Sequence, residues 1–394
     1  MSNSNTPARL LTLALFLGAC AGSSTLSPEP APAGFSTTVV TRIADGVTHS
    51  SLRAPGGPWA VEVLEVEIDT CTTLRAVKGF AGAVGRERTS VLLQRLDDTV
   101  KVLGGVNADF FLFAPPGRPT NAHISGHRVV TGPSAQPVFA LSRFRHPYIG
   151  TLSIRGQARI GDRQFLLGGW NRVATGGLAL FDRSYGAMTD TASSVIEVLL
   201  GAEGTRRVVA VDTTWRGMAI PPGHVVLVAG ASAPADVRQA MLSLRPGDPV
   251  EVEARIEPIH PEEAVGGRPV LVTDSAITLA ARDTNAFSVT RHPRTAVGVS
   301  GDGGRIWLVT VDGRQPGYSV GMSLLELAAL MRDIGAVEAI NLDGGGSTAL
   351  VLRDPASGVL SVANRPSDVE GERAVGNALA VVQKCENRVL SPET

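Results

Sequence analysis

Two short motifs in this chain each bring an amide and a carboxylate to one side of a strand end. Asn341-Leu342-Asp343 closes one apolar run and Asn107-Ala108-Asp109 closes another. Strand side chains alternate, so within each motif the Asn and the Asp share a face. The first motif runs on into Gly344-Gly345-Gly346-Ser347-Thr348. Three glycines in a row mark a tight turn or a place where a ligand approaches bare backbone. A carboxylate, an amide, backbone N–H groups and two hydroxyls meeting at one point are the parts of a sugar or phosphate site. Further polar clusters stand at Arg291 to Thr295, at Asp312-Gly313-Arg314, and at Asn364 to Asp368 with Glu372, Arg373 and Asn377.

The elements that must carry these residues are legible in the last third of the chain. Residues 306–312 read as a buried strand ending in Asp312. Ser323 and Glu326 form a Ser-x-x-Glu capping box at a helix start. Leu324, Leu327, Ala328, Met331 and Ile334 follow at helical spacing, and Gly335 is a stop signal. Residues 337–342 are the next strand. Such a β-α-β crossover is nearly always parallel and right-handed. Asp312 and Asp343 are therefore expected on one sheet edge, at the carboxyl ends of strands where ligands tend to bind. Earlier, residues 60–68 and 250–256 alternate with period two. Residues 102–106 form an apolar run, and Phe110 and Phe111 read as core. Residues 90–96 and 236–244 read as short helices, and residues 150–230 as strands broken by Gly, Pro and Asn. No repeat of fixed period is present. The expectation is a single large α+β domain with a mixed sheet and a C-terminal β-α-β unit, over residues 35–385.

The N-terminus reads differently. Arg9 precedes the apolar run 10–17, which is too short to span a bilayer and suits an export signal. The run ends in Leu17-Gly18-Ala19-Cys20, similar to a bacterial lipoprotein signal in which Cys20 becomes the lipidated residue. Residues 1–19 are then the signal, and residues 20–34, rich in Ser, Pro and Ala, a tether. Residues 386–394 are a tail. The expected location is the cell envelope, with membrane attachment through the lipid alone. In an exported chain Cys71 and Cys385 can pair, or remain two buried thiols. Across 394 residues, 36 basic residues face 37 acidic ones. A nucleic-acid partner would call for a basic excess, so none is expected.

Together the segments resemble the phosphodiester glycosidase family. The resemblance is carried by residues 104–111 (GGVNADFF), 292–298 (HPRTAVG), 311–331 (VDGRQPGYSVGMSLLELAALM), 339–351 (AINLDGGGSTALV) and 364–382 (NRPSDVEGERAVGNALAVV). Weaker matches lie at Asn171-Arg172, Tyr185-Gly186 and Ile220-Pro221. It implies a hydrolase cutting the C1–O bond between a sugar, of N-acetylglucosamine type, and a phosphodiester. Glycoside hydrolysis usually uses two carboxylates, and Asp109 and Asp343 are the candidates. Arg294, Arg314 and Arg373 would hold phosphate through forked hydrogen bonds. Asn107, Asn341, Ser347, Thr348 and Asn377 would hold sugar groups. Asp312 is a further candidate, and Gly344 and Gly345 would let backbone come close. His292 reads as structural, and His123 and His127 as uninformative loop residues. One departure stands out: Val265-Gly266-Gly267-Arg268-Pro269 lies where a more glycine-rich loop is expected, which would alter the rim of the site.

No cofactor is required by this chemistry. Asp and Asn oxygens would also suit a hard divalent cation, Ca²⁺ or Mg²⁺, and no His/Cys spacing argues for zinc. Two other readings use the same residues: a phosphodiesterase cutting P–O, and a non-catalytic binder of envelope polysaccharide.

Overall fold

The computed structural model describes residues 34–80, 82–173, 176–189, 194–202, 206–214 and 216–385. The expected signal, Cys20, the tether up to residue 33, and the tail 386–394 lie outside the described residues. The architecture is α+β, dominated by sheet.

Period-two sequence builds two cores at once. In the strand Arg305–Val311, Ile306 and Leu308 enter one core while Trp307, Val309 and Val311 enter another. The strand Trp59–Glu67 divides in the same way, with Leu64 and Val66 on one side and Val61 and Val63 on the other. Both belong to an eight-stranded sheet ordered Ser36–Ala44, Val47–Ala54, Trp59–Glu67, Arg305–Val311, Arg294–Val299, Glu338–Asn341, Val270–Thr273 and Ala276–Ile277. Its first core is shared with a second sheet, ordered Leu360–Val362, Leu350–Arg353, Lys101–Asn107, Asn377–Gln383 and Thr72–Lys78. Leu74, Leu103, Val106, Leu350 and Leu379 supply that side. Its second core is closed by the helix Leu324–Asp333, which buries Leu324, Leu327, Ala328 and Met331. The helix Thr89–Asp97 covers the outer face of the second sheet through Leu92 and Leu93. The layers run helix, sheet, sheet, helix, each element hiding its apolar face against a neighbour.

The helix Leu324–Asp333 begins as its sequence dictates. Ser323 Oγ accepts from Glu326 N at 3.2 Å, and Glu326 Oε2 accepts from Ser323 N at 2.9 Å. Gly335, at φ 102°, takes the left-handed turn that ends it. The strands flanking this helix, Arg305–Val311 and Glu338–Asn341, run parallel but are not neighbours. Arg294–Val299 lies between them, antiparallel to both. The start of that middle strand therefore meets the carboxyl ends of the other two.

Beyond these layers, seven strands between Ser153 and Glu257 close into a barrel. Leu167, Leu180, Val198 and Leu227 fill it, and the helix Ala235–Ser243 packs on it through Val237, Ala240 and Met241. Among the described strands, parallel pairing occurs only in the barrel, between Arg163–Trp170 and Leu178–Asp182. A five-stranded sheet that includes Pro137–Ser142, Pro261–Gly266 and His123–Ser125 sits between barrel and layers. Phe139, Leu141 and Val265 enter the main core, while Ala140 and Ile124 meet Leu152 and Ile256 near the barrel. Cys71 and Cys385 are joined by a disulfide across a sequence separation of 314. No helix among the described residues is long and apolar enough to cross a membrane.

Leu308 is fully buried between the two sheets, so Leu308→Ala should cost about 2–5 kcal/mol. Ser323→Ala should cost about 1 kcal/mol by loss of the cap. Urea unfolding of both variants checks this. A smaller loss at 308 than at 323 would contradict the shared core.

Candidate active site

The two Asn-x-Asp motifs end strands of different sheets, and they are bonded to each other. Asn107 Nδ2 donates to Asp343 O at 2.6 Å, and Asp343 N donates to Ala108 O at 2.8 Å. Asn107 Oδ1 accepts from Thr295 Oγ1 at 2.8 Å and from Ala349 N at 3.1 Å. One buried side chain thus ties together the carboxyl end of its own strand, the middle strand Arg294–Val299 and the turn after Asp343. On the other side, Asp109 N donates to Asn377 Oδ1 at 2.8 Å, and Asn377 Nδ2 to His123 Nδ1 at 3.0 Å. That bond leaves the His123 proton on Nε2, and burial pushes the ring down to about 3, so it stays neutral.

The carboxyl groups sit in unlike surroundings. Asp109 is 1% exposed. Its Oδ2 accepts from Asn121 N at 2.8 Å and its Oδ1 from Thr120 Oγ1 at 3.2 Å. Burial nevertheless pushes it up to about 7, against those bonds and the Arg268 charge, while the Asp343 charge adds to the rise. Asp343 keeps part of its surface exposed. Burial pushes it up to about 6, opposed by the nearby Ser347 hydroxyl, the Gly344 N–H and the charges of Arg373 and Arg268. Two carboxyls that feel each other titrate as a pair, losing protons in steps near neutrality. Perturbation of that kind is a mark of functional sites.

Cations surround this pair. The Arg314 backbone is left-handed at φ 60°, a costly conformation for a side-chain-bearing residue. Its Nη2 lies 3.2 Å from His292 Nδ1. Its guanidinium covers Gly345, whose own φ is +64° and whose Cβ, if present, would stand 3.1 Å from Arg314 Nη2. Burial, then the charges of Arg294 and Arg314, push His292 down from its ordinary value. Arg172 lies behind Asp109 and donates to Thr120 O, Asn121 O and Gly132 O. Phe110 and Phe287 meet edge to face at 6.1 Å. Phe110 and Phe111 are both half-buried: Phe111 packs against the core under the helix Thr89–Asp97, as its apolar character predicts, whereas Phe110 is carried to the rim because the chain leaves the sheet at Asn107.

Several residues expected to meet substrate are committed to the protein instead. Asn107 and Asn377 are the braces just described. Asp312, 1% exposed, accepts from Asn364 Nδ2, Arg365 N and Tyr318 Oη, so it ties a strand end to the loop at 364–365. Arg294, 2% exposed, gives Nε to Met322 O and Nη2 to Phe287 O and Thr290 O. Arg373 forms a two-bond pair with Asp368. Thr348 Oγ1 meets Thr295 Oγ1 at 3.4 Å. Gly344 packs against Pro293 O. Asn341 Nδ2 donates to Arg268 O at 2.6 Å, but Asn341 Oδ1 is buried without a hydrogen-bond partner among the described residues, as is Ser347 Oγ. Buried polar atoms are nearly always paired, and these two are the kind a bound ligand satisfies. Among the described residues no group of three or more His, Cys, Asp or Glu is placed to hold a metal ion.

Sequence reasoning passed over Arg268, Thr120, Asn121 and His123. Only Arg268 left a signal, as the departure from a glycine-rich loop. The others sit in a segment whose polarity reads as ordinary loop.

Residues 199–382 match the model of the phosphodiester glycosidase family. No curated protein matches the chain. Among solved structures it is similar to a hypothetical protein from Synechocystis, with 23% identity, a TM-score of 0.71 and coverage of 87% of this chain. This chain spans 63% of that protein's length. It is also similar to a candidate exported protein of Burkholderia pseudomallei, with 25% identity, a TM-score of 0.64, and coverage of 83% of this chain and 74% of that one. A third match is the zebrafish N-acetylglucosamine-1-phosphodiester alpha-N-acetylglucosaminidase catalytic domain, auto-inhibited by its pro-peptide, at 17% identity and a TM-score of 0.45, covering 92% of this chain and 85% of that one.

Asp109 titrates at about 7 in the fold, against an ordinary value of 3.8. The folded state thus holds this proton more tightly than the unfolded chain. Its contribution to stability falls as pH rises from about 4 to about 7 and is flat above, a loss on the order of 4 kcal/mol. Asp109→Asn removes that titration. The melting temperature of the variant relative to the parent should therefore rise between pH 4 and pH 8. A pH-independent difference would show that Asp109 is ionised throughout.

Proposed function

We propose, from the similarity of residues 199–382 to the phosphodiester glycosidase family, that this chain hydrolyses the C1–O bond of a sugar-1-phosphodiester, with an N-acetylglucosamine-type sugar as first candidate. The observation that carries the reading is the buried pair Asp109 and Asp343, both with raised proton affinity and held together through Asn107.

Asp343, the more accessible and the earlier to ionise, takes a proton from water, whose oxygen attacks C1. The C1–O bond breaks with its electron pair moving to the phosphate oxygen. The products are free sugar and a phosphomonoester. Asp109 keeps its proton to higher pH, so the pair carries one negative charge near neutrality, the state that opposes the positive charge growing on the sugar ring. A phosphate leaves as a stable anion, so strong acid assistance is not required, and Arg314 faces that anion across Gly345. Asn341 Oδ1 and Ser347 Oγ are the groups available to sugar hydroxyls or an acyl amide. The expected setting is the cell envelope, through lipidation at Cys20, where glycosyl phosphodiesters occur in polymers and modified lipids.

Asp343→Asn should lower turnover of UDP-N-acetylglucosamine or a simpler sugar-1-phosphodiester by about 10²–10⁴-fold while the fold persists. Unchanged turnover would remove Asp343 from the chemistry. Hydrolysis in ¹⁸O-water should label the sugar; label on phosphate would mean P–O cleavage. A rate profile should rise through about pH 6 as Asp343 ionises. A profile flat from pH 5 to 9 would contradict this role.

A further inference from the structure

Arg268 stands where the two Asn-x-Asp motifs come closest to a third segment. Its backbone is fixed on both sides by Asn341: Arg268 N donates to Asn341 O at 2.7 Å, and Arg268 O accepts from Asn341 Nδ2 at 2.6 Å. Pro269 O accepts from Asn341 N at 3.0 Å. Two residues earlier, Gly266 lies against the other motif, and a Cβ there would stand 2.5 Å from Asp109 Oδ2. The Arg268 side chain is equally constrained. Its Cζ lies 4.3 Å from the centroid of the Phe110 ring, and its Nη1 donates to Thr120 Oγ1 at 3.1 Å. Thr120 Oγ1 in turn donates to Asp109 Oδ1 at 3.2 Å.

Apart from Arg314, which sits over Gly345, the neighbouring cations are otherwise occupied. Arg294 and Arg172 serve backbone carbonyls, and Arg373 serves Asp368. Among the described residues Arg268 forms no salt bridge, and its charge rests on a π face and one hydroxyl. Cation–π seating holds a guanidinium flat and leaves its edge donors free. Asp109 is faced by Asp343, Arg268 and Arg172, and Asp343 by Arg268 and Arg373. Arg268 alone among these cations acts on both carboxyls.

We infer that Arg268 is a specificity residue that donates to the leaving phosphate, so that the site selects an anionic leaving group over a neutral one. This rests on the glycosidase reading. As the C1–O bond breaks, its electron pair passes to phosphate, which goes from a singly charged diester to a monoester of greater negative charge. A fixed cation aimed at growing charge stabilises the transition state more than the ground state. A neutral alcohol or phenol leaving group presents no such anionic phosphate to the guanidinium.

The test compares the full chain with Arg268→Met and Arg268→Lys on UDP-N-acetylglucosamine and on a p-nitrophenyl N-acetylglucosaminide. The ratio of kcat/KM, diester over aryl glycoside, should fall at least about tenfold in the Met variant and be partly restored by Lys. A ratio that does not change overturns the proposal, since a purely structural role would lower both rates together. A second measurement does not need turnover. Carboxyl ¹³C titration of Asp109 and Asp343 should move to higher pH in Arg268→Met, and inorganic phosphate should perturb these signals in the parent but not in that variant. A phosphate response that survives in the Met variant overturns the proposal even if the chain hydrolyses neither substrate, the outcome that would sink the glycosidase reading itself.

Discussion

The site depends on one side chain that never needs to touch a ligand. Asn107 is fully buried and its amide bonds three other elements: the Asp343 carbonyl, the Thr295 hydroxyl and the Ala349 N–H. Two sheets that share an apolar core could slide by fractions of an ångström at their ends, because apolar packing is non-directional. Hydrogen bonds are directional, and a buried amide left unpaired costs about 1–3 kcal/mol. The exchange between Asn107 and Asp343, with Asp343 N returning to Ala108 O, therefore converts a soft contact between layers into a fixed one. Asp109 and Asp343 approach each other because of that bond, although they come from different sheets and lie far apart in sequence.

A charge balance follows from this enforced approach. Burial drives both carboxyls toward the neutral form, and each opposes the ionisation of the other. The site answers with cations held in different ways. Arg373 is neutralised by Asp368 and acts from a distance. Arg314 sits over bare glycine backbone at the rim. Arg268 sits on an aromatic face. None forms a direct salt bridge with either aspartate, which would have lowered proton affinity outright and removed the poise near neutrality.

Much of the fold could be read from the chain. The alternation in residues 60–68 and the apolar run at 306–312 became strands feeding two cores, and Ser323-x-x-Glu326 became a capping box with both bonds made. The barrel was not legible as a barrel, because closure depends on which strands pair, and short polar-interrupted strands do not encode their partners locally. For the candidate site, the sequence brings Asp109 and Asp343 forward as strand-end carboxylates, and the fold places them near each other. Asp312, Arg294 and Asn377 have the right chemistry for a ligand, but residue type cannot say whether a donor is already spent on the protein. Arg268 shows the converse: its importance comes from Phe110, Thr120 and Asn341, none of them near it in sequence.

The disulfide between Cys71 and Cys385 has a consequence beyond joining neighbouring strands. Cys71 opens the strand Thr72–Lys78, which pairs with Asn377–Gln383, and Lys384 N closes the ladder on Cys71 O. Almost the whole folded body, including the barrel, both helices over the layers and every candidate site residue, thus lies inside one covalent ring. A protease that cuts a surface loop anywhere within it opens the ring without releasing a fragment. The two new ends remain tied through the sulfurs and the ladder beside them, so a nicked molecule keeps all the parts of its site on one covalently continuous body.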